Sequence, residues 1–254
     1  VFTWSYENSG NRSLYQKSFS VKITDENGTV FEKKFRSNDM RFEYKGKLLE
    51  LHSYNFELCA VLSDNSEVKA KKTFKTGLYG KKFADFGAKW ITASKKYEDG
   101  AISFRKSFEI KKDVKSAEIY VLSSSWQRVY LNGTALKSDA FLLPPNASLN
   151  ERCVYVCYEL ESLKKGKNDI KILLGAGYNS NYVRFGWRWL KGKGMSSLLI
   201  LRYTDGTTEN IVSDESFEVF DSKISYCDMY NGEVFDAGYS PYKLENAVEC
   251  SAPK

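Results

Sequence analysis

Apolar and polar residues alternate with a period of two along most of the chain, which is the pattern of β-strands that bury one face. In the first part of the sequence, Tyr15, Phe19, Val21 and Ile23 share one parity, with polar residues between most of them. Short polar turns rich in Asp, Asn, Ser and Gly separate such segments. The predicted strands are Tyr15–Ile23, Thr29–Phe35, Phe56–Leu62 and Glu67–Phe74. Several short strands so close together predict a small β-sandwich.

A glycine-marked break at Thr76–Gly80 interrupts the alternation, which resumes at Trp90. The strands predicted after the break are Ile102–Ile110, Ala117–Leu122, Arg128–Leu131, Arg152–Leu160, Asp169–Leu174, Ser197–Tyr203 and Thr208–Val212. This number of strands suits a jelly roll of eight or more strands. We therefore expect two β-sandwiches that meet between about residues 76 and 88, with Trp90 buried where the second one begins.

Turn signals support this division of the second block. The Asn132-Gly133 dipeptide and the Thr204–Thr207 segment each predict a tight hairpin turn. Glu161–Lys165, which precedes Gly166, predicts one helical turn. No longer window has helical periodicity, so the predicted fold class is all-β.

Charge and cysteine content exclude several classes of protein. The net charge is +6, but the lysines occur as scattered pairs, which is typical of strand ends and turns and not of a nucleic-acid-binding patch. We therefore expect no nucleic acid as partner. The longest apolar runs are too short to cross a membrane, so we expect no membrane partner either.

Five cysteines, an odd number, do not indicate a disulfide framework. Cys153 and Cys157 lie too far apart on one predicted strand to bond each other. Free thiols favour a reducing, cytoplasmic location over a secreted one.

Several short strings of the second block are more specific than the alternation. They are AKWITA (Ala88–Ala93), FRKSFEI (Phe104–Ile110), VYLNG (Val129–Gly133), YTDGT (Tyr203–Thr207), IVSDESF (Ile211–Phe217) and YNGEVFDA (Tyr230–Ala237). In this order they resemble the jelly-roll domain that precedes the catalytic barrel in bacterial α-L-rhamnosidases. Some of them resemble, more loosely, sugar-binding domains of β-galactosidases. In the first block, FTWSY (Phe2–Tyr6), YNFELCAVLSDN (Tyr54–Asn65) and FKTGL (Phe74–Leu78) resemble the immunoglobulin-like domain that those rhamnosidases carry first.

The resemblance implies an immunoglobulin/fibronectin-like sandwich at residues 1–80, followed by a galactose-binding-like jelly roll at residues 84–254. It also implies a downstream (α/α)-barrel in the same polypeptide, which would hold the acidic residues that cleave terminal rhamnose. The expected role of this chain is then a non-catalytic accessory region of a glycoside hydrolase. The alternatives are a stand-alone carbohydrate-binding module, or a structural or adhesion module without a sugar ligand.

The residues themselves offer no catalytic constellation. Glycoside hydrolysis needs two carboxyl groups on either side of one bond, and no such pair stands in a recognisable motif. The strings that resemble the rhamnosidases contain four acidic residues, which we expect at turns and strand ends: Asp214, Glu215, Glu233 and Asp236. His52 is the only histidine, and it stands beside no nucleophile motif, so we expect a structural role for it. No catalytic residue is predicted.

One segment, Gly175–Trp189, is a candidate for ligand binding because it mixes aromatic rings, which stack on sugars, with side chains that bond hydroxyl groups. The candidate carbohydrate-binding residues are Tyr178, Asn179, Asn181, Arg184, Trp187 and Trp189. The resemblance also implies a calcium-dependent rhamnose site, for which the candidate ligands are Asp139, Asn146 and Asn179.

The chain departs from the family pattern in both loops of this implied site. It has PNASL at Pro145–Leu149 where members have GWTDY, and Ala176 where they have asparagine. Because calcium needs six or more oxygen ligands, these replacements weaken the calcium site. We therefore expect the aromatic segment to contact another domain, with a rhamnose-containing glycan as the alternative partner.

Overall fold

The computed structural model describes residues 1–7, 14–94, 99–137, 153–177, 193–228 and 230–252. These residues form an all-β protein, as the alternation predicts, with a short 3-10 helix at Phe83–Phe86. The chain divides into two compact units, Val1–Lys82 and Phe83–Lys254. Within the described ranges, no helix is long and apolar enough to span a bilayer.

The first unit is built on one four-stranded antiparallel sheet in the order β3-β2-β5-β6, with a short two-stranded sheet of β1 and β4. Its strands are β1 (Phe2–Thr3), β2 (Gln16–Asp25), β3 (Gly28–Phe35), β4 (Arg41–Phe42), β5 (Ser53–Leu62) and β6 (Glu67–Lys75). Aromatic rings from both sheets fill the space between them, and Phe2, for example, stacks on Phe56 with ring centroids 4.0 Å apart. The edge strands β3 and β6 carry several lysines, which disfavour pairing with a further strand.

The parity predicted for the start of β2 is wrong at one residue. Phe19, Val21 and Ile23 are buried, but Tyr15 is 63% exposed. The register between β2 and β5 shifts between Gln16 and Ser18, so the strand contains a bulge there. The extra residue reverses the alternation, and Gln16 takes the inward position.

The second unit contains two six-stranded sheets and a separate hairpin. Its strands are β7 (Ile91–Thr92), β8 (Ile102–Ile110), β9 (Val114–Ser123), β10 (Gln127–Leu131), β11 (Thr134–Ala135), β12 (Val156–Glu159), β13 (Gly166–Leu174), β14 (Gly194–Tyr203), β15 (Thr208–Val212), β16 (Glu218–Phe220), β17 (Ile224–Asp228), β18 (Gly232–Phe235), β19 (Lys243–Asn246) and β20 (Val248–Glu249).

One sheet has the order β11-β10-β13-β8-β16-β19 and the other the order β12-β9-β14-β7-β20, with β15 also paired to β14. Inward-facing residues of both sheets form one core, in which Phe104, Ile172 and Val219 of the first sheet meet Leu199 and Leu201 of the second. Two sheets that share a core in this way make the predicted β-sandwich. Trp90 is buried with 7% of its surface exposed, as predicted.

β14 departs from simple alternation because it is buried on both faces. Leu198 and Ile200 point away from the sandwich core, yet both are buried. On the neighbouring strand β9, the outward ring of Tyr120 packs edge-on against Tyr155, which in turn contacts Phe83 of the 3-10 helix. The outer face of this sheet is therefore partly covered by residues of the same unit.

Both predicted hairpin turns are present. Asn132 and Gly133 have φ angles of 50° and 83°, the left-handed pair that a two-residue hairpin turn requires. In the turn between β14 and β15, the side chain of Asp205 accepts a hydrogen bond of 2.9 Å from the backbone N–H of Thr207.

Two local predictions for the second block are wrong. Glu161–Lys165 forms no helical turn, because the Asn168 side chain bonds both the N–H and the carbonyl of Lys164 and holds the segment as a loop. The strand predicted from Arg152 pairs with β9 only from Val156 onward. Cys153 therefore precedes this strand, and neither it nor Cys157 nor any of the other three cysteines forms a disulfide.

Candidate functional site

The candidate ligand-binding residues predicted from the sequence lie outside the described residues. This holds for the carbohydrate set Tyr178, Asn179, Asn181, Arg184, Trp187 and Trp189, and for the calcium set Asp139, Asn146 and Asn179. The structure does describe the strand ends from which these segments leave. The described part of the candidate site is its base, which lies at the ends of β9, β10, β13 and β14.

Gly177 and Gly194, which flank residues 178–192 in the sequence, lie in close contact with Trp126 and Trp90. At the end of β13, a Cβ on Gly177 would lie 2.8 Å from the backbone nitrogen of Trp126, and the Gly175 N–H donates to the Trp126 carbonyl at 2.9 Å. At the start of β14, a Cβ on Gly194 would lie 2.7 Å from Nε1 of Trp90. Only glycine allows such close approach, so the backbone at Gly177 and Gly194 can pack directly against Trp126 and Trp90.

A run of polar residues between β9 and β10, Ser123–Gln127, forms the base of the site. Ser124 makes two hydrogen bonds with Gly194. Its backbone N–H donates to the Gly194 carbonyl and its Oγ accepts from the Gly194 N–H, both at 2.9 Å. Ser123 Oγ donates to the Ser125 carbonyl at 2.6 Å. These bonds connect the β9–β10 turn to the start of β14.

Among the buried polar atoms of this base, Oγ of Ser125 and Oε1 of Gln127 have no hydrogen-bond partner within the described ranges, and their residues are 2% and 8% exposed. The Nε2 of Gln127 donates to the Tyr158 hydroxyl at 3.3 Å, so the amide is held while its oxygen remains available. A buried acceptor or hydroxyl without a partner is costly, and a hydroxyl-bearing ligand is one chemistry that would satisfy both atoms.

The electrostatics of this end of the sandwich come from buried groups of the second unit. Lys193 and Asp228 are 5% and 6% exposed. Burial raises the pKa of the nearby Cys227 thiol, and the positive charge of Lys193 opposes that shift. Cys227 is therefore a protonated, neutral thiol at neutral pH.

The acidic residues of the family strings occupy turns and exposed positions in the structure. Asp214 and Asp236 each accept a backbone N–H two residues further on, at 2.9 Å, while Glu215 and Glu233 are exposed. His52 lies 3.5 Å from Asp25 and edge-on to Tyr54, within the first unit. The described part of the chain contains no cluster of three or more side chains suited to hold a metal ion.

The base formed by Ser123–Gln127 was not singled out from the sequence. Its signal is a polar run, SSSWQ, between two strands, which alone reads as an ordinary loop. Its importance comes from residues distant in sequence, Gly175, Gly177 and Gly194, which the sheets bring against it.

The described residues form an all-β protein in which a smaller β-unit is followed in sequence by a two-sheet sandwich. A comparison with known families identifies it further, because the model of the α-L-rhamnosidase N-terminal domain matches residues 112–249. The chain belongs to this family.

Individual relatives agree with the family. An α-L-rhamnosidase of Formosa agariphila is 28% identical over 185 residues, which cover 65% of this chain and 19% of the relative. The solved α-L-rhamnosidase of Dictyoglumus thermophilum superposes over 99% of this chain and 32% of its own, at 25% identity and a TM-score of 0.82. The α-L-rhamnosidase structure of Aspergillus terreus has the same fold over 94% of this chain and 30% of its own, at 19% identity and a TM-score of 0.81. The chain thus spans no more than about a third of these relatives.

Proposed function

We propose that this chain is a non-catalytic accessory region of an α-L-rhamnosidase-like glycoside hydrolase. The proposal rests chiefly on one observation: an α-L-rhamnosidase structure superposes on 99% of this chain while 68% of that enzyme lies outside the match. In this proposal the chemistry belongs to a catalytic (α/α)-barrel elsewhere in the same polypeptide. The two units supply the support on which that part is held.

We further propose that residues 1–80 are an immunoglobulin/fibronectin-like module and residues 84–254 a galactose-binding-like jelly roll. The first unit has four antiparallel strands joined largely by tight turns and a second, very short sheet. The second has two six-stranded sheets around one core.

Hydrolysis of an aryl α-L-rhamnoside tests this division of labour. The 254-residue chain should release no aryl alcohol at high protein concentration, whereas the full polypeptide should turn the substrate over. Turnover by the isolated chain that survives repurification, and that one Asp or Glu substitution abolishes, would overturn the proposal. A full polypeptide without rhamnosidase activity would overturn the assignment to a rhamnosidase.

Substrate recognition is a second candidate function, and a specific observation favours it. The free acceptor of Gln127 and the hydroxyl of Ser125 lie at the base from which the aromatic 178–192 segment leaves. Tryptophan fluorescence during a rhamnose titration, with and without calcium, tests it. A saturable change that Gln127→Leu and Trp187→Ala both remove would establish a binding module, and a flat titration would leave the structural role.

A further inference from the structure

The outer face of one sheet in the second unit carries two cationic side chains next to each other. Arg105 of β8 lies directly opposite Lys171 of β13, and Lys171 lies directly opposite Tyr130 of β10. The neighbouring residues Phe104 and Ile172 belong to the sandwich core. Because successive side chains of a strand alternate between its two faces, Arg105, Lys171 and Tyr130 share the outer face. We call Arg105 and Lys171 the cation pair.

Aromatic rings of neighbouring strands hold both cations on this face. The guanidinium carbon of Arg105 lies 4.0 Å from the centroid of the Phe220 ring, and Nζ of Lys171 lies 3.9 Å from the centroid of the Tyr130 ring. A ring attracts a cation that lies over its face, so each contact restricts the charged side chain. Both side chains are half-buried, and their charged ends remain on the sheet.

The cation pair has no acidic partner. Neither of its side chains forms an ion pair in the part of the chain that the structure describes, and Nε of Arg105 is buried without a hydrogen bond. Glu218 of β16 lies opposite Arg105, but its carboxylate accepts from Nζ of Lys243 at 2.7 Å. Asp169, the acid of β13 on this face, lies opposite Ser107 and not opposite either cation.

This arrangement favours an added negative charge. Like charges directly opposite each other on neighbouring strands are destabilising. Burial lowers the pKa of Lys171 and the charge of Arg105 lowers it further, while Asp169 opposes the shift. Burial also raises the pKa of Asp169, so the face is poorly hydrated and electrostatic interactions there are strong. With Asp169 ionised, these three groups sum to one positive charge, which a single anionic group would balance.

We propose that the cation pair binds the carboxylate of an acidic sugar residue. The two oxygens of a carboxylate would accept hydrogen bonds from the Arg105 guanidinium and from the Lys171 ammonium group at the same time. That the ligand is a saccharide rests on the proposed function, because a region of a glycoside hydrolase meets glycans. The site lies on the face of the sheet, whereas the base at Ser123–Gln127 lies at the strand ends.

Isothermal titration calorimetry of the 254-residue chain with a galacturonate trisaccharide tests the site. The neutral galactose trisaccharide of the same linkage is the control for the carboxylate, and inorganic phosphate is the control for the sugar. We expect the acidic trisaccharide to bind at low salt and to bind more weakly as salt is added. The neutral trisaccharide should not bind, and phosphate should bind more weakly than the acidic trisaccharide.

Two substitutions locate the binding. Lys171→Met keeps an apolar side chain against Tyr130 and removes the charge, and it should weaken binding about 10- to 100-fold, as expected for a lost hydrogen bond between charged groups. Arg105→Lys keeps the charge but loses the planar fork, and it should weaken binding by a smaller factor. Lys111→Met, at an exposed position just after β8, is the matched control and should leave the affinity unchanged. Circular dichroism checks that each variant is folded.

Each outcome decides the question. A chain that does not bind the acidic trisaccharide, or a folded Lys171→Met variant that binds it as tightly as the unaltered chain, would overturn the site. Equal affinity for phosphate would overturn the sugar ligand. Rhamnoside hydrolysis by the full polypeptide separates this inference from the proposed function. An active polypeptide whose 254-residue chain does not bind refutes the site alone, and an inactive polypeptide whose chain binds as expected refutes the rhamnosidase assignment alone.

Discussion

Replacing Gln16 by methionine should destabilise the first unit strongly, although the change is nearly isosteric. The Gln16 amide is 4% exposed and uses all of its bonding capacity. Its Oε1 accepts from Nε1 of Trp4 at 3.0 Å and from the Tyr6 hydroxyl at 2.5 Å. Its Nε2 donates to the carbonyls of Ser37 and Asp39 at 3.1 and 2.9 Å. Methionine would leave two donors and two acceptors without partners.

The magnitude follows from the number of bonds lost. Each intramolecular hydrogen bond contributes about 1 kcal/mol net, and Trp4 and Tyr6 are half-buried and regain water in part. We therefore expect Gln16→Met to lower the free energy of unfolding of the first unit by about 2–3 kcal/mol. The matched control is Lys17→Met at the bulge, where the exposed Lys17 Nζ bonds Asn65 Oδ1 at 3.0 Å. We expect this control to change the stability by less than about 0.5 kcal/mol.

Amide hydrogen exchange in β5 isolates the first unit from the second and is the assay of choice. A loss of about 2–3 kcal/mol corresponds to exchange roughly 30- to 160-fold faster for the slowest amides of β5. If Gln16→Met accelerated exchange no more than Lys17→Met, the four bonds would contribute nothing net. The reasoning from satisfied buried polar groups would then be refuted.

Two further predictions concern the second unit. Gly194→Ala should lower its unfolding temperature, at a cost of about 1–3 kcal/mol, because the new methyl would overlap Trp90. In the same calorimetric scan Gly175→Ala, whose methyl would lie 3.9 Å from its nearest neighbour, should cost less, and equal losses would contradict the steric account. Burial and the Glu249 carboxylate raise the pKa of the Cys250 thiol to about 11, so its thiolate fraction at pH 8 is low. A variant that keeps only Cys250 should react with a disulfide reagent about 100-fold more slowly than a small thiol of pKa about 9, and an equal rate would show that the thiol is not buried.

Much of the fold can be predicted from local sequence. Most strands show an alternation of apolar and polar residues, and the tight turns contain residue types that favour turns. The hairpins at Asn132-Gly133 and at Thr204–Thr207 are confirmed, since a left-handed turn depends on residues next to one another. The bulge that places Gln16 inward could not be predicted, because it depends on how β2 meets β5 across 46 residues. The loop at Glu161–Lys165 could not be predicted for a similar reason. Its conformation depends on a hydrogen bond from the Lys164 N–H to the side chain of Asn168, which lies outside the segment.

The site was predictable only in outline. Gly175 and Gly177 mark the start of an unusual segment, and sequence alone shows that much. That Ser125 and Gln127 lie beneath it follows from sheet pairings between distant strands, which no local pattern encodes. The candidate sugar and calcium residues themselves, all within 138–152 and 178–192, stay predictions.

The pairing of β20 with β7 has a consequence for the order in which the protein folds during synthesis. Thr92 pairs with Val248, which lies 156 residues later, so that edge of the second unit's sheet forms only after Val248 has emerged. At translation rates of about 5–20 residues per second, this interval lasts roughly 8–30 s. The first unit closes through β2 to β6 long before then. The lysines on its edge strands disfavour pairing with the still unpaired strands of the second unit while the ribosome finishes the chain.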